Sequence, residues 1–188
     1  MDAPSIPLPN AADIHTLSTA LDAATQEQRL AWLSRLPRNQ LATLFDLAQG
    51  QHLDVEDMQG SEGQVVIHQG TNSAPSFRSF QKRVVRHEGQ LKGYNHQPWS
   101  WLVGAGSFIV VPSPDEPGEV LFDYTSLPNS GFPDFPPVMP NTAGLSRFVY
   151  GHMVDVVRRV SEQVTIGKAF KKGEYAGFHF ALCRREDD

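Results

Sequence analysis

The first part of the chain repeats apolar residues at helical spacing. Residues 11–50 carry leucines three and four positions apart, and residues with that spacing share one face of a helix. Thr25 followed by Gln28 matches a capping box, in which each side chain bonds the other residue's backbone N–H. Gly50 stands where a left-handed residue commonly ends a helix. Three short helices are therefore predicted within residues 11–50, preceded by a flexible, proline-punctuated tail over residues 1–10.

The pattern changes near residue 64. β-Branched and aromatic residues become more frequent, and glycines and prolines divide the chain into short segments typical of strands. Most of these segments follow one another without an intervening helix, which favours antiparallel pairing. The predicted strands cover residues 64–69, 84–87, 91–95, 99–111 with a break at 104–106, 119–125, 163–170 and 177–185.

A last helical pattern interrupts these strands. Apolar residues at 145, 148, 149, 153, 156, 157 and 160 predict an amphipathic helix over residues 145–162. The preceding segment, residues 126–141, holds five prolines and can form neither a helix interior nor a central strand. It is predicted to be a long ordered loop, either a lid or a docking surface.

These elements predict an α+β fold. The short N-terminal helices precede a curved, mainly antiparallel sheet or partial barrel of about seven strands, covered by the late amphipathic helix. At 188 residues the chain is predicted to form one domain, residues 1–188, with the sheet region spanning 64–188.

The composition indicates a soluble globular protein, with 40% hydrophobic and 20% charged residues. No stretch approaches the roughly 18 apolar residues that a membrane helix needs, so no membrane insertion is expected. Cys183 is the single cysteine, which favours a reducing compartment and a cytoplasmic location. A net charge of −5 argues against general binding of nucleic acid. No cofactor motif is present, and the oligomeric state is left open.

One cluster has the composition of a ligand pocket. Four polar or amphipathic residues are followed closely by two indoles, and binding pockets combine large apolar faces with a few directional polar groups. The alternative is a polar turn that leads into an aromatic core strand. The candidate binding residues are Tyr94, Asn95, His96, Gln97, Trp99 and Trp101.

Catalytic chemistry would need a histidine oriented by a carboxylate. His96 and His152 are the candidate bases, and Asp123 and Asp155 are the candidate partners. On the predicted late helix His152 and Asp155 share one flank with Arg159, although Asp155 and Arg159 also fit a surface ion pair. Seven histidines occur, but no metal-binding motif is formed, so no metal is predicted.

Three hypotheses of function remain open from the sequence. The first is a protein that binds a small apolar or amphipathic molecule, and the second is an enzyme using a His/Asp pair in the same cavity. The third is a protein-interaction module docking through the N-terminal helices and the Pro-rich loop.

A basic run that includes Arg78, Lys82, Arg83 and Arg86 is interpreted as a solvated face.

Overall fold

The computed structural model describes residues 6–74, 78–98, 100 and 104–186. Eight antiparallel strands each pair with the next along the chain, and the last pairs with the first, so the sheet closes into a barrel. The strands are β1 (Val65–Asn72), β2 (Ser79–His87), β3 (Gln90–His96), β4 (Ser107–Pro112), β5 (Val120–Asp123), β6 (Met153–Arg159), β7 (Val164–Lys171) and β8 (Glu174–Arg184).

Three helices precede the barrel, as the leucine spacing predicts. The predicted capping box is confirmed: the Thr25 side chain accepts from the backbone N–H of Gln28, and the Gln28 side chain accepts from that of Thr25. A 3₁₀ helix lies on either side of the three helices, and one short helix follows β5. The helices are α1 (Ile14–Asp22), α2 (Gln26–Arg35), α3 (Gln40–Leu47) and α4 (Ser146–Val149), and the 3₁₀ helices are Pro9–Ala11 and Val55–Met58. None of the helices in the described part of the chain is long and apolar enough to cross a membrane.

The helices α1 to α3 pack against the outside of the barrel. Their buried leucines meet the outward-facing side chains of β7 and β8, among them Val164, Ile166 and Ala181. Within residues 6–10, Pro9 is buried, and the Pro7 carbonyl accepts a hydrogen bond from the Trp32 indole. Residues 1–5 lie outside the described part of the chain.

A second apolar cluster fills one half of the barrel interior. Alternate residues of each strand point inward, and at this end they include Val84, Phe108 and Phe122. The 3₁₀ helix Val55–Met58 covers the same end. There Met58 is buried, and its carbonyl oxygen lies 3.2 Å from Nε2 of His68. This end of the barrel is therefore closed.

The late helix predicted over residues 145–162 is not formed as such. One short helix, Ser146–Val149, is present, and Met153–Arg159 is the strand β6. The antiparallel sheet is confirmed, but it has eight strands rather than about seven, and β6 turns the predicted partial barrel into a closed one.

The reason lies in the two buried faces of β6. Met153, Asp155 and Val157 point into the barrel, whereas Val156 packs beneath the helical layer outside. A strand that is covered on both faces loses the alternation of apolar and polar residues and can be mistaken for a helix.

The Pro-rich segment, residues 126–141, lies along the outer wall of the barrel. Phe135 packs on the ring of Tyr94 with centroids 4.7 Å apart, and Lys92 donates hydrogen bonds to Ser130. Asn141 then ties the end of the segment to the backbone of β4. At these three points the segment is fixed to the outside of the barrel.

Candidate ligand-binding cavity

A cavity of about 440 Å³ occupies the other half of the barrel. Its lining residues come mainly from the last residues of β1, β3 and β7, from the first residues of β2, β6 and β8, from α4, and from residues just after β3 and β5. Most of the wall is apolar. The residues that line it are Asn72, Ala74, Phe80, Lys82, Asn95, Gln97, Tyr124, Phe148, Val149, Tyr150, Met153, Asp155, Lys171, Ala176, Phe178 and Phe180.

Four buried polar side chains form the floor of the cavity. The Lys82 ammonium donates to Asn95 Oδ1 at 3.1 Å, to Asp155 Oδ2 at 3.1 Å and to the Tyr124 hydroxyl. Asn95 Nδ2 donates to the Tyr124 hydroxyl at 2.9 Å and to the Gly106 carbonyl. Each member is held by at least one other, so the cluster forms a single network.

Lys82 also lies among aromatic rings. Its Nζ is 4.6 Å from the ring centroid of Phe122, 4.8 Å from that of Phe108 and 5.0 Å from that of Phe180. Ring faces attract a cation, which offsets part of the cost of removing the ammonium from water. The aromatic cage and the ion pair to Asp155 therefore hold this lysine in place.

The environment shifts the pKa values of all three ionisable groups in the network. Burial lowers the pKa of Lys82 and raises that of Asp155, and the attraction between the two charges opposes both shifts. Burial and the neighbouring Asp155 carboxylate raise the pKa of Tyr124 well above its ordinary value, so its hydroxyl stays protonated. Its hydroxyl donates to Asp155 Oδ2 at 3.3 Å, so Tyr124 acts as a neutral donor beside the ion pair.

One polar atom of the floor has no hydrogen-bond partner among the described residues. Asp155 is 2% exposed, and its Oδ2 binds Lys82, whereas its Oδ1 is buried and accepts no hydrogen bond within the described chain. A buried acceptor without a donor is costly. The floor therefore contains an unused acceptor, in a residue that lines a mainly apolar cavity.

The upper wall is built around Tyr150. Its ring stacks on that of Tyr124 at a centroid separation of 5.4 Å, and its hydroxyl accepts a hydrogen bond from Gln97 at 2.8 Å. Gly106 makes room for the ring, since a Cβ there would lie 2.6 Å from it. At the mouth, Lys171 donates to the carbonyl of Phe148 at 2.7 Å and so fixes α4 over the rim.

The structure divides the predicted binding cluster between two sides of the barrel wall. Asn95 and Gln97 line the cavity. Tyr94 lies outside the barrel under the Pro-rich segment, and the exposed His96 follows it on the same outer face. Trp99 and Trp101 lie outside the described residues. Strand alternation is the reason, because adjacent residues of β3 face opposite ways.

The predicted catalytic residues are also separated. Asp155 lies on the floor of the cavity, whereas Asp123 is on the outer face of β5, where it accepts hydrogen bonds from Thr125. His152 is exposed on the turn before β6, with a positive φ of 60°. The structure does not bring these residues together with His96.

Three important residues of the cavity were not among the predicted site residues: Lys82, Tyr124 and Tyr150. The interpretation of Lys82 as part of a solvated basic run is wrong, since its side chain is buried. A signal was present, because Lys82 alternates with Phe80 and Val84 on one face of β2. A lysine between two buried apolar residues on a strand indicates an inward-facing cation.

The described lining of the cavity contains no histidine. Nor do the described residues bring together three histidine, cysteine or acidic side chains that could hold a metal ion. The polar groups found in the described lining of the cavity are therefore lysine, carboxylate, phenol and amide groups, both on its floor and, at Asn72, Gln97, Tyr150 and Lys171, elsewhere in its wall.

A closed barrel of eight antiparallel strands is a fold typical of proteins that bind a small ligand inside. The chain matches no protein-family model, and comparisons with curated proteins and with solved structures find no significant match either. What this protein does is therefore inferred from the cavity itself.

Proposed function

We propose that this protein binds a small, mainly apolar molecule inside its barrel. The observation that carries the proposal is a cavity of about 440 Å³ with an apolar wall and a hydrogen-bonded polar floor. Ligand pockets commonly have volumes of about 300 to 1,000 Å³ and combine these two kinds of surface.

The distribution of groups within the cavity supports an amphipathic ligand. Phe178, Phe180 and Met153 line it beside the polar floor. An apolar body would contact these side chains, while a polar group would reach the floor around Asp155. Side chains fill the closed end of the barrel, so the ligand would enter at the end covered by α4.

The placement of the candidate residues favours binding over the two alternatives. An enzyme that uses His96 or His152 needs that histidine at the cavity, and both lie elsewhere. An interaction module that docks through the N-terminal helices needs them to leave apolar surface free, but α1 to α3 bury their apolar faces on β7 and β8.

The test is a titration with N-phenyl-1-naphthylamine, an uncharged dye whose emission rises on transfer from water to an apolar cavity. We expect saturable binding to the unaltered protein. Ala176→Trp places an indole in the lining of the cavity and should weaken binding at least about tenfold, because it fills space that the dye needs.

The matched control is Ala143→Trp, which adds the same indole at an exposed position that does not line this cavity. It should bind the dye as the unaltered protein does. Equal binding by both variants, or no saturable binding by the unaltered protein, would contradict the proposal. Thermal melts of the two variants show that each remains folded.

A further inference from the structure

We infer that the ligand carries a hydrogen-bond donor, such as a neutral hydroxyl group, and that this donor binds Asp155 Oδ1. This inference rests on the proposed binding function and narrows it to a chemical class, an apolar or aromatic alcohol or phenol.

The first observation is the unused acceptor. Asp155 lies at the floor of the cavity, 2% exposed, with Oδ2 bound to Lys82 and Oδ1 without a donor in the described chain. An ionised carboxylate accepts hydrogen bonds at both oxygens, and a bond to a charged acceptor in an apolar setting is among the stronger ones. A ligand that donates to Oδ1 completes the network.

The second observation is that the lysine has no donor left. An ammonium group has three N–H donors, and Lys82 directs them to Asn95, Tyr124 and Asp155. A ligand carboxylate at the floor would thus find no free donor on Lys82 and would face the negative charge of Asp155. Like charges in contact are strongly unfavourable, so the floor selects a neutral donor over an anion.

Two probes of similar shape distinguish the effect of a hydrogen bond donated by the ligand from the effect of burying its ring system. 2-Naphthol has a hydroxyl that donates, whereas 2-methoxynaphthalene has the same ring system and oxygen without a donor. Each is titrated as a competitor of N-phenyl-1-naphthylamine. In Asp155→Asn we expect the affinity for 2-naphthol to fall about tenfold or more, the loss expected for a hydrogen bond to a charged group, while that for 2-methoxynaphthalene changes less than about twofold.

The matched control is Asp123→Asn, the same change on the outer face of the barrel, where the carboxylate is bound by Thr125. It should leave both affinities unchanged. If Asp155→Asn lowers the affinities for both probes equally, the donor inference is overturned.

A spectroscopic readout keeps the inference testable even if Asp155→Asn does not fold. Photoexcited 2-naphthol is a strong acid and gives its proton to a carboxylate in contact. Measured with the protein in excess, so that little 2-naphthol is free to give its proton to water, 2-naphthol bound to the unaltered protein should show the long-wavelength emission of the naphtholate. Emission from the neutral form alone would overturn the inference, and so would tighter binding of 2-naphthoate than of 2-naphthol. In either case a competitive displacement of the dye leaves the proposed function intact, whereas failure of the dye itself to bind would overturn both.

Discussion

Removal of the Lys82 ammonium should be among the most damaging single changes to this fold. In Lys82→Met the side chain keeps its approximate length but leaves the buried carboxylate of Asp155 without its cation. At the observed separation of 3.1 Å, Coulomb's law with an effective dielectric constant of about 20 gives roughly 5 kcal/mol for the pair. Breaking one partner of a buried pair commonly costs about 3 to 5 kcal/mol, and we expect a loss in that range.

Removal of both charges of the Lys82–Asp155 pair should lower the free energy of unfolding less than removal of the lysine alone. In Lys82→Met/Asp155→Leu no buried charge is left, and Tyr124 keeps its hydrogen bond from Asn95 at 2.9 Å. Apolar replacement of a whole buried pair is often neutral. We therefore expect the double variant to recover at least about 2 kcal/mol relative to Lys82→Met, a coupling typical of residues in direct contact.

Urea denaturation followed by circular dichroism measures both free energies of unfolding. The matched control is Lys168→Met, which removes a lysine that is only partly buried on the outer wall, and which should change stability by less than about 1 kcal/mol. Two results would show that the buried ion pair does not stabilise the fold as expected: a loss below about 1 kcal/mol in Lys82→Met, or a double variant no more stable than that single variant.

Three further predictions concern positions away from the floor. Burial lowers the pKa of His68 from 6.5 to about 4, so the unfolded chain binds the proton more tightly than the folded protein does. The free energy of unfolding should therefore be highest above pH 6.5 and should fall by about 3 kcal/mol as the pH drops to 4. Urea titrations across this range should show a smaller fall in His68→Gln. Gly93→Ala should lower the free energy of unfolding by about 1 to 3 kcal/mol, because a Cβ would clash with the Arg83 carbonyl and lie 2.8 Å from the Phe108 ring. A thermal melt measures this loss of stability, and an unchanged melting temperature would contradict the prediction. His152→Gly should raise stability by about 0.5 to 1 kcal/mol, since it relieves a positive φ at an exposed residue. A lower melting temperature would contradict this, and lost dye binding without a lower melting temperature would indicate a functional role for this histidine.

The helices and most strands could be predicted because their signals are local. The capping box at Thr25 and Gln28 and the leucine spacing depend on residues within one or two turns. The strand β6 could not be recognised in the same way, because its polarity pattern depends on the helical layer that covers Val156 from outside. That layer comes from residues more than a hundred positions earlier in the chain.

The cavity could be predicted only in part for a related reason. Asn95 and Gln97 were found from their polar character beside indoles, but which neighbours faced inward depended on the strand register of β3. Lys82 and Asp155 are 73 positions apart and meet because the barrel closes. A long-range pair of this kind leaves no spacing in the sequence that identifies it.

Nuclear Overhauser contacts between a bound dye and the protein's methyl groups show whether the dye binds inside the barrel. With N-phenyl-1-naphthylamine bound to methyl-labelled protein, we predict contacts to Met153 and Val149, which line the cavity, and none to Met58 at the closed end or to Ile166 under the helices. Contacts to Ile166 without contacts to Met153 would place the dye outside the barrel and contradict ligand binding in the cavity.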